Sequence, residues 1–117
     1  MDPDGQRVRM RECEEVRLAQ ALAEKLNSVK RNDWLRWARM WGGDLEAGLR
    51  WAREMGRDPN LSESARRAME QIARGVMALR EDLEWLSPLE RLRVFGWVAR
   101  LLRIREHESF STPARRR

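Results

Sequence analysis

Apolar residues recur along this chain at alternating steps of three and four, the spacing of one face of an α-helix. Leu18, Leu22, Leu26 and Val29, with Ala19 and Ala23 beside them, predict a first helix from about Arg7 to Ser28. The most regular stripe of the first half follows: Trp34, Ala38, Trp41, Leu45, Gly48, Ala52 and Met55. That stripe runs through Gly42-Gly43 without losing phase. A loop would usually reset the phase, which favours one long, bent helix from Asp33 to Met55. Two adjacent glycines disfavour a helix by roughly 2 kcal/mol, which favours a break with Asp44 as a new cap. The unbroken phase makes the long helix the expected one.

Gly56-Arg-Asp-Pro-Asn-Leu reads as a loop, with Gly56 suited to a left-handed position after the helix and Pro59 barring continuation. Ser62 caps a third helix, whose stripe is Ala65, Met69, Ile72, Val76, Leu79, Leu83 and Leu86. Ser87-Pro88-Leu89-Glu90 is a capping box with proline at the first helical position. The fourth helix then runs to about Glu106 with two apolar faces. Leu89, Leu92, Phe95, Gly96, Ala99 and Leu102 make one, and Val94, Trp97, Val98, Leu101 and Ile104 the other. The expected fold is all-α, a small bundle of four main helices, or five if the second breaks at Gly42-Gly43. Near-heptad stripes predict shallow crossing angles. Residues 1–6 read as a flexible leader, 7–108 as one domain and 109–117 as a flexible basic tail.

Charge sharpens this picture at one end only. From Ser87 to Arg117 there are eight arginines and three glutamates, 8 − 3 = +5, which equals the net charge of the whole chain. Lysine is nearly absent, Lys25 and Lys30 against 22 arginines. Either a GC-rich coding genome or selection for bidentate anion recognition produces that bias. A terminal helix both apolar and basic points to a contact surface.

Candidate chemistry is thin. Cys13 is alone, which excludes an intrachain disulfide and a cysteine metal cluster; it is expected as a small buried or half-buried hydrophobe. His107 has no nucleophile at a matching spacing and reads as an exposed residue favouring the helix C-terminus. No metal motif occurs, and Gly42-Gly43 lacks the strand and lysine of a nucleotide loop. Leu86-Ser-Pro-Leu-Glu-Arg resembles the opening helix of LuxR-type and sigma-factor helix-turn-helix domains. The chain then continues from Val94 to Arg105 with no turn and no recognition helix, so no residue role follows from the resemblance. No apolar h-region and no bilayer-length apolar stretch is present, and a cytoplasmic, non-enzymatic protein without cofactor is expected.

Two surfaces remain as candidates. Six tryptophans are mostly core material, with Trp37 and Trp97 the best candidates for an interface because both fall off the most regular stripe. With Val94, Leu101 and Ile104 they would form the contact of a homodimer or of a subunit in a heteromeric complex. The alternative is DNA or RNA binding through Arg100, Arg103 and Arg105, helped by Arg115, Arg116 and Arg117. Arg36, Arg39, Arg50 and Arg53 interleave with Trp37 and Trp51 in the manner of a charge-and-stacking groove, although residues 31–60 balance at only 6 − 5 = +1. Small residues at Gly48, Gly75 and Gly96 are expected to mark a tight helix crossing or a slot for a tryptophan.

Overall fold

The computed structural model describes the backbone of residues 3–115 and the side chains of residues 13–108. The leader 1–6 and the tail 109–117, with Arg115, Arg116 and Arg117, lie outside the described side chains. Six helices follow one another: α1 (Pro3–Lys25), α2 (Arg31–Trp41), α3 (Leu45–Gly56), α4 (Glu63–Ala78), α5 (Arg80–Trp85) and α6 (Pro88–Arg115). The all-α class is as expected, but the helix count is six rather than four or five. Two expected long helices are each divided.

The first division falls at the paired glycines. Trp41 ends α2, and Asp44, with φ −141° and ψ 87°, starts α3 by accepting the Ala47 backbone N–H at 3.1 Å. The long bent helix from Asp33 to Met55 does not form. The second division was not expected. At Leu79 the backbone turns at φ −112° and ψ 16°, its N–H reaching back three residues to the Val76 carbonyl at 3.2 Å. The Leu83 N–H already bonds the Leu79 carbonyl at 3.0 Å, so helix resumes at once. Both breaks are too short to disturb the apolar phase, which is why the phase did not report them.

Gly56 also departs from expectation. No described glycine has a positive φ, and Gly56 ends α3 as a helical residue. It is needed for space, since a Cβ there would stand 2.7 Å from Glu70 Cγ on α4. The Ser62 cap and the capping box hold as expected. Ser62 Oγ accepts the Ala65 N–H at 3.1 Å, while Ser87 and Glu90 exchange bonds at 2.9 and 3.2 Å.

α3 and α4 form an antiparallel hairpin, α1 lies beside both α6 and α4, and α2 packs on α6. α1 and α6 run in the same direction: Arg93 meets Glu15, and further along both helices Arg105 meets Ala23 and Leu26. The molecule is a slab of 55 × 44 × 19 Å. At an interhelix spacing of about 8–10 Å, that thickness holds two layers. Leu22, Leu26, Trp34, Trp37, Ile72, Val76, Val94, Val98 and Leu102 are among its fully buried side chains. Trp34 and Trp37 pack on Phe95 with ring centroids 5.1 and 5.9 Å apart. Their indole N–H groups donate to the Phe95 and Gly48 carbonyls at 3.0 and 3.1 Å. Gly48 is the expected slot: a Cβ there would stand 2.5 Å from Trp41 Cβ and 2.9 Å from the Trp37 ring.

Candidate interaction surface

α6 is the spine of the fold, and its polar side chains hold the ends of other helices. Helix C-termini leave carbonyls without intrahelical partners, and cations are favoured there. Arg91, buried, donates through Nε to the Leu83 carbonyl and through Nη1 to the Gly42 carbonyl, both at 3.1 Å. It thereby joins the ends of α5 and α2. Arg105 does the same beyond α1, donating to the Ala23, Leu26 and Val29 carbonyls at 3.3, 2.7 and 3.0 Å. At the opposite polarity, Glu106 accepts the first N–H of α2, that of Arg31, at 2.6 Å. Arg93 forms a two-pronged pair with Glu15, whose carboxylate is 3% exposed. Three of the eight arginines of the last segment, Arg91, Arg93 and Arg105, are thus bound to partners within the molecule.

Placement of the expected interface residues is divided. Trp37 and Val94 belong to the core, 1% and 0% exposed, and Leu101 is half-buried against it. Trp97 and Ile104 face outward at 37% and 55%. The two apolar faces read from the sequence are therefore redrawn. Val94, Phe95, Val98, Ala99 and Leu102 point inward, while Leu89 and Leu92, read as sharing a face with Phe95 and Leu102, are 64% and 51% exposed. Gly96 opens between them, with nothing within 4 Å of where a Cβ would stand. Single-helix periodicity could not choose between faces separated by one residue step; only the packing of α1 and α2 decides it.

Among the expected polyanion contacts, Arg105 is bound to carbonyls, Arg100 lies 5.0 Å over the Trp97 ring, and Arg103 is exposed. The charge-and-stacking groove on α2 and α3 is not assembled, because Trp37 is buried and Trp51 packs against Trp41 at 6.0 Å. Cys13, expected to be at least half-buried, is exposed. Among the described residues no group of three His, Cys, Asp or Glu side chains could hold a metal ion, and no helix is long and apolar enough to cross a membrane.

Recesses also mark the surface, and two of them lie between helices. One of about 390 Å³ lies between α1, α5 and the start of α6, floored by Leu18, Leu79 and Leu86 and rimmed by Glu14, Arg17, Asp82 and Glu90. Trp85, 89% exposed, stands at its edge. Nothing in the sequence flagged this tryptophan; it sits one position before Leu86, on the polar side of the expected third helix. The other recess, about 600 Å³ between α3 and α4, is bordered by Arg53, Arg57, Arg74 and Met77, with Glu70 paired to Arg74 at 3.5 Å.

Comparison with protein families, curated proteins and solved structures finds no match. The fold and its surfaces define a small all-helical domain.

Proposed function

We propose that this chain is a non-enzymatic helical interaction module, an accessory subunit that joins a larger assembly through the outer face of α6. One observation carries the reading. The helix that organises the core also presents Leu89, Leu92, Trp97 and Ile104 to solvent, interspersed with arginines. Exposed large apolar groups gathered on one helix mark contact sites, and tryptophan with arginine is the composition of binding hot spots. An exposed lone thiol at Cys13 suits the reducing cytoplasm we assign to it.

The test is co-purification of the full chain with its assembly, in parallel with a Leu92→Glu/Trp97→Glu variant of matching helicity and melting temperature. The variant should lose the complex. Retention of the same complex by the variant would refute the α6 surface.

A second reading, polyanion binding, is favoured by the recess between α3 and α4, which Arg53, Arg57 and Arg74 border with a single acid, Glu70. Titration with single- and double-stranded nucleic acid at two salt concentrations tests it. Affinity that falls steeply with salt and is lost in Arg53→Gln/Arg57→Gln would support it; no binding at low salt would remove it.

A further inference from the structure

The outer face of α6 sorts its side chains into a crest and two flanks. Exposed Arg93, Trp97, Arg100 and Ile104 alternate along the helix with buried Val94, Val98 and Leu102. At about 100° per residue, Arg100 falls almost opposite the fully buried Val98 and so stands on the crest. Leu92 lies on the flank towards α2, where its Cδ2 is 3.4 Å from the place of a Cβ at Gly42. Trp97 and Ile104 lie on the flank towards α1, the side on which Arg93 reaches Glu15.

Negative charge is missing from this crest. No acid occurs between Glu90 and Glu106, and both of these bind backbone N–H groups, of Ser87 at 2.9 Å and Arg31 at 2.6 Å. Arg91, Arg93 and Arg105 have partners within the molecule, whereas among the described residues Arg100 and Arg103 meet no carboxylate. The Arg100 guanidinium lies 5.0 Å over the Trp97 ring. Stacking fixes its plane and leaves the in-plane N–H donors open to an acceptor.

We propose that the outer face of α6 takes an acidic amphipathic helix of a different protein. Carboxylates one turn apart on that helix pair with Arg100 and Arg103. Its apolar side chains lie to either side of them, against Leu92 and against Trp97 and Ile104. This rests on the reading of α6 as a docking surface and names the chemistry of what docks there.

Charge chooses among the occupants. A second copy laid face to face would set arginine against arginine, which opposes association. A bilayer surface takes an apolar crest with cations at its sides, the reverse of this arrangement. A nucleic acid would find two free arginines, where strongly salt-dependent phosphate binding draws on about six to ten contacts, and would leave Leu92 and Ile104 unused. A helix that carries acids between apolar residues matches crest and flanks together.

Selection from a displayed library of helical peptides tests this. The full chain is the bait, and one face of an alanine scaffold is randomised among Leu, Glu, Gln and Lys. The wild type should enrich Glu one turn apart with Leu beside it. Arg100→Glu/Arg103→Glu, matched in helicity and melting temperature, should enrich Lys at the same places. The best acidic peptide should bind Arg100→Gln/Arg103→Gln about tenfold or more weakly than the wild type, and its affinity should fall with salt. A wild type that enriches no peptide, or peptides without an acidic excess, would overturn the proposal, as would retention of the acidic set by the charge-reversed variant. So would Arg100-dependent binding of single-stranded nucleic acid or of phosphatidylserine vesicles tighter than that of the best peptide. If the enriched peptides are uncharged yet still require Leu92 and Trp97, the acidic partner falls and the interaction module stands.

Discussion

Arginine has two separate uses in this chain, and exposure alone does not sort them. Arg91 and Arg105 point their guanidinium groups at backbone carbonyls, where the planar fork serves two or three acceptors that a single ammonium would reach less well. Replacing Arg91 with methionine leaves the Leu83 and Gly42 carbonyls without that donor. Each buried unsatisfied group costs on the order of 1–3 kcal/mol, so a loss of about 3 kcal/mol in urea unfolding is expected. Arg91→Lys should recover only part, and a loss below about 1 kcal/mol in the methionine variant would mean that water replaces the guanidinium. The glycines make a paired comparison at the same scale. Gly48→Ala forces a methyl to within 2.5 Å of Trp41 Cβ, an overpacking that should destabilise by about 1–3 kcal/mol. Gly96→Ala meets nothing and should stabilise the monomer by about 1 kcal/mol, read as a higher melting temperature at low protein concentration. Equal effects of the two substitutions would contradict the difference in their surroundings.

At the scale of elements, the deciding features are the breaks. α3 begins because Asp44 accepts the Ala47 N–H after two glycines have turned the chain. Asp44→Ala should cost about 1 kcal/mol, measured by thermal unfolding, and Asp44→Ser should restore most of it. Failure of serine to restore stability would show that the carboxylate acts otherwise than as a cap. The sequence displayed the four strongest apolar stripes, the Ser62 cap and the capping box at Ser87 because these are local signals. It concealed the break at Leu79, since a turn of one residue leaves the three-four rhythm of Val76, Leu79 and Leu83 intact. It also concealed which side of α6 faces outward. Leu92 and Val94 are both apolar, and only the neighbouring helices assign one to solvent and the other to the core. The candidate surface was therefore half legible: Trp97 and Ile104 were named, Trp85 and Leu89 were not. Trp37 was misplaced because being off one helix's stripe does not mean being off the core of a bundle.

For the whole molecule, a thickness of 19 Å and a radius of gyration of 15.8 Å describe a thin slab; a compact chain of this length has a radius near 13 Å. A thin slab has little core to couple its halves, so particular crossings must do so. The α3–α4 hairpin is joined to the rest at two places, where Trp37 and Trp41 of α2 pack on Gly48 of α3 and where α4 passes α1 at Gly75. A Cβ there would stand 3.3 Å from Leu26 Cδ2 and Lys25 Cβ, and Ser28 N–H donates to Gln71 Oε1 at 2.8 Å beside it. Gly75→Leu wedges that crossing apart while leaving the contacts within the hairpin, and those between α1, α2 and α6, untouched. Native-state hydrogen exchange should then show α3 and α4 losing protection through an opening well below the global unfolding free energy, with α6 retaining it. In the unaltered chain the two halves should exchange through openings of similar energy. If the leucine variant lowers protection uniformly over every helix, the slab behaves as one cooperative unit and the crossing is not its hinge.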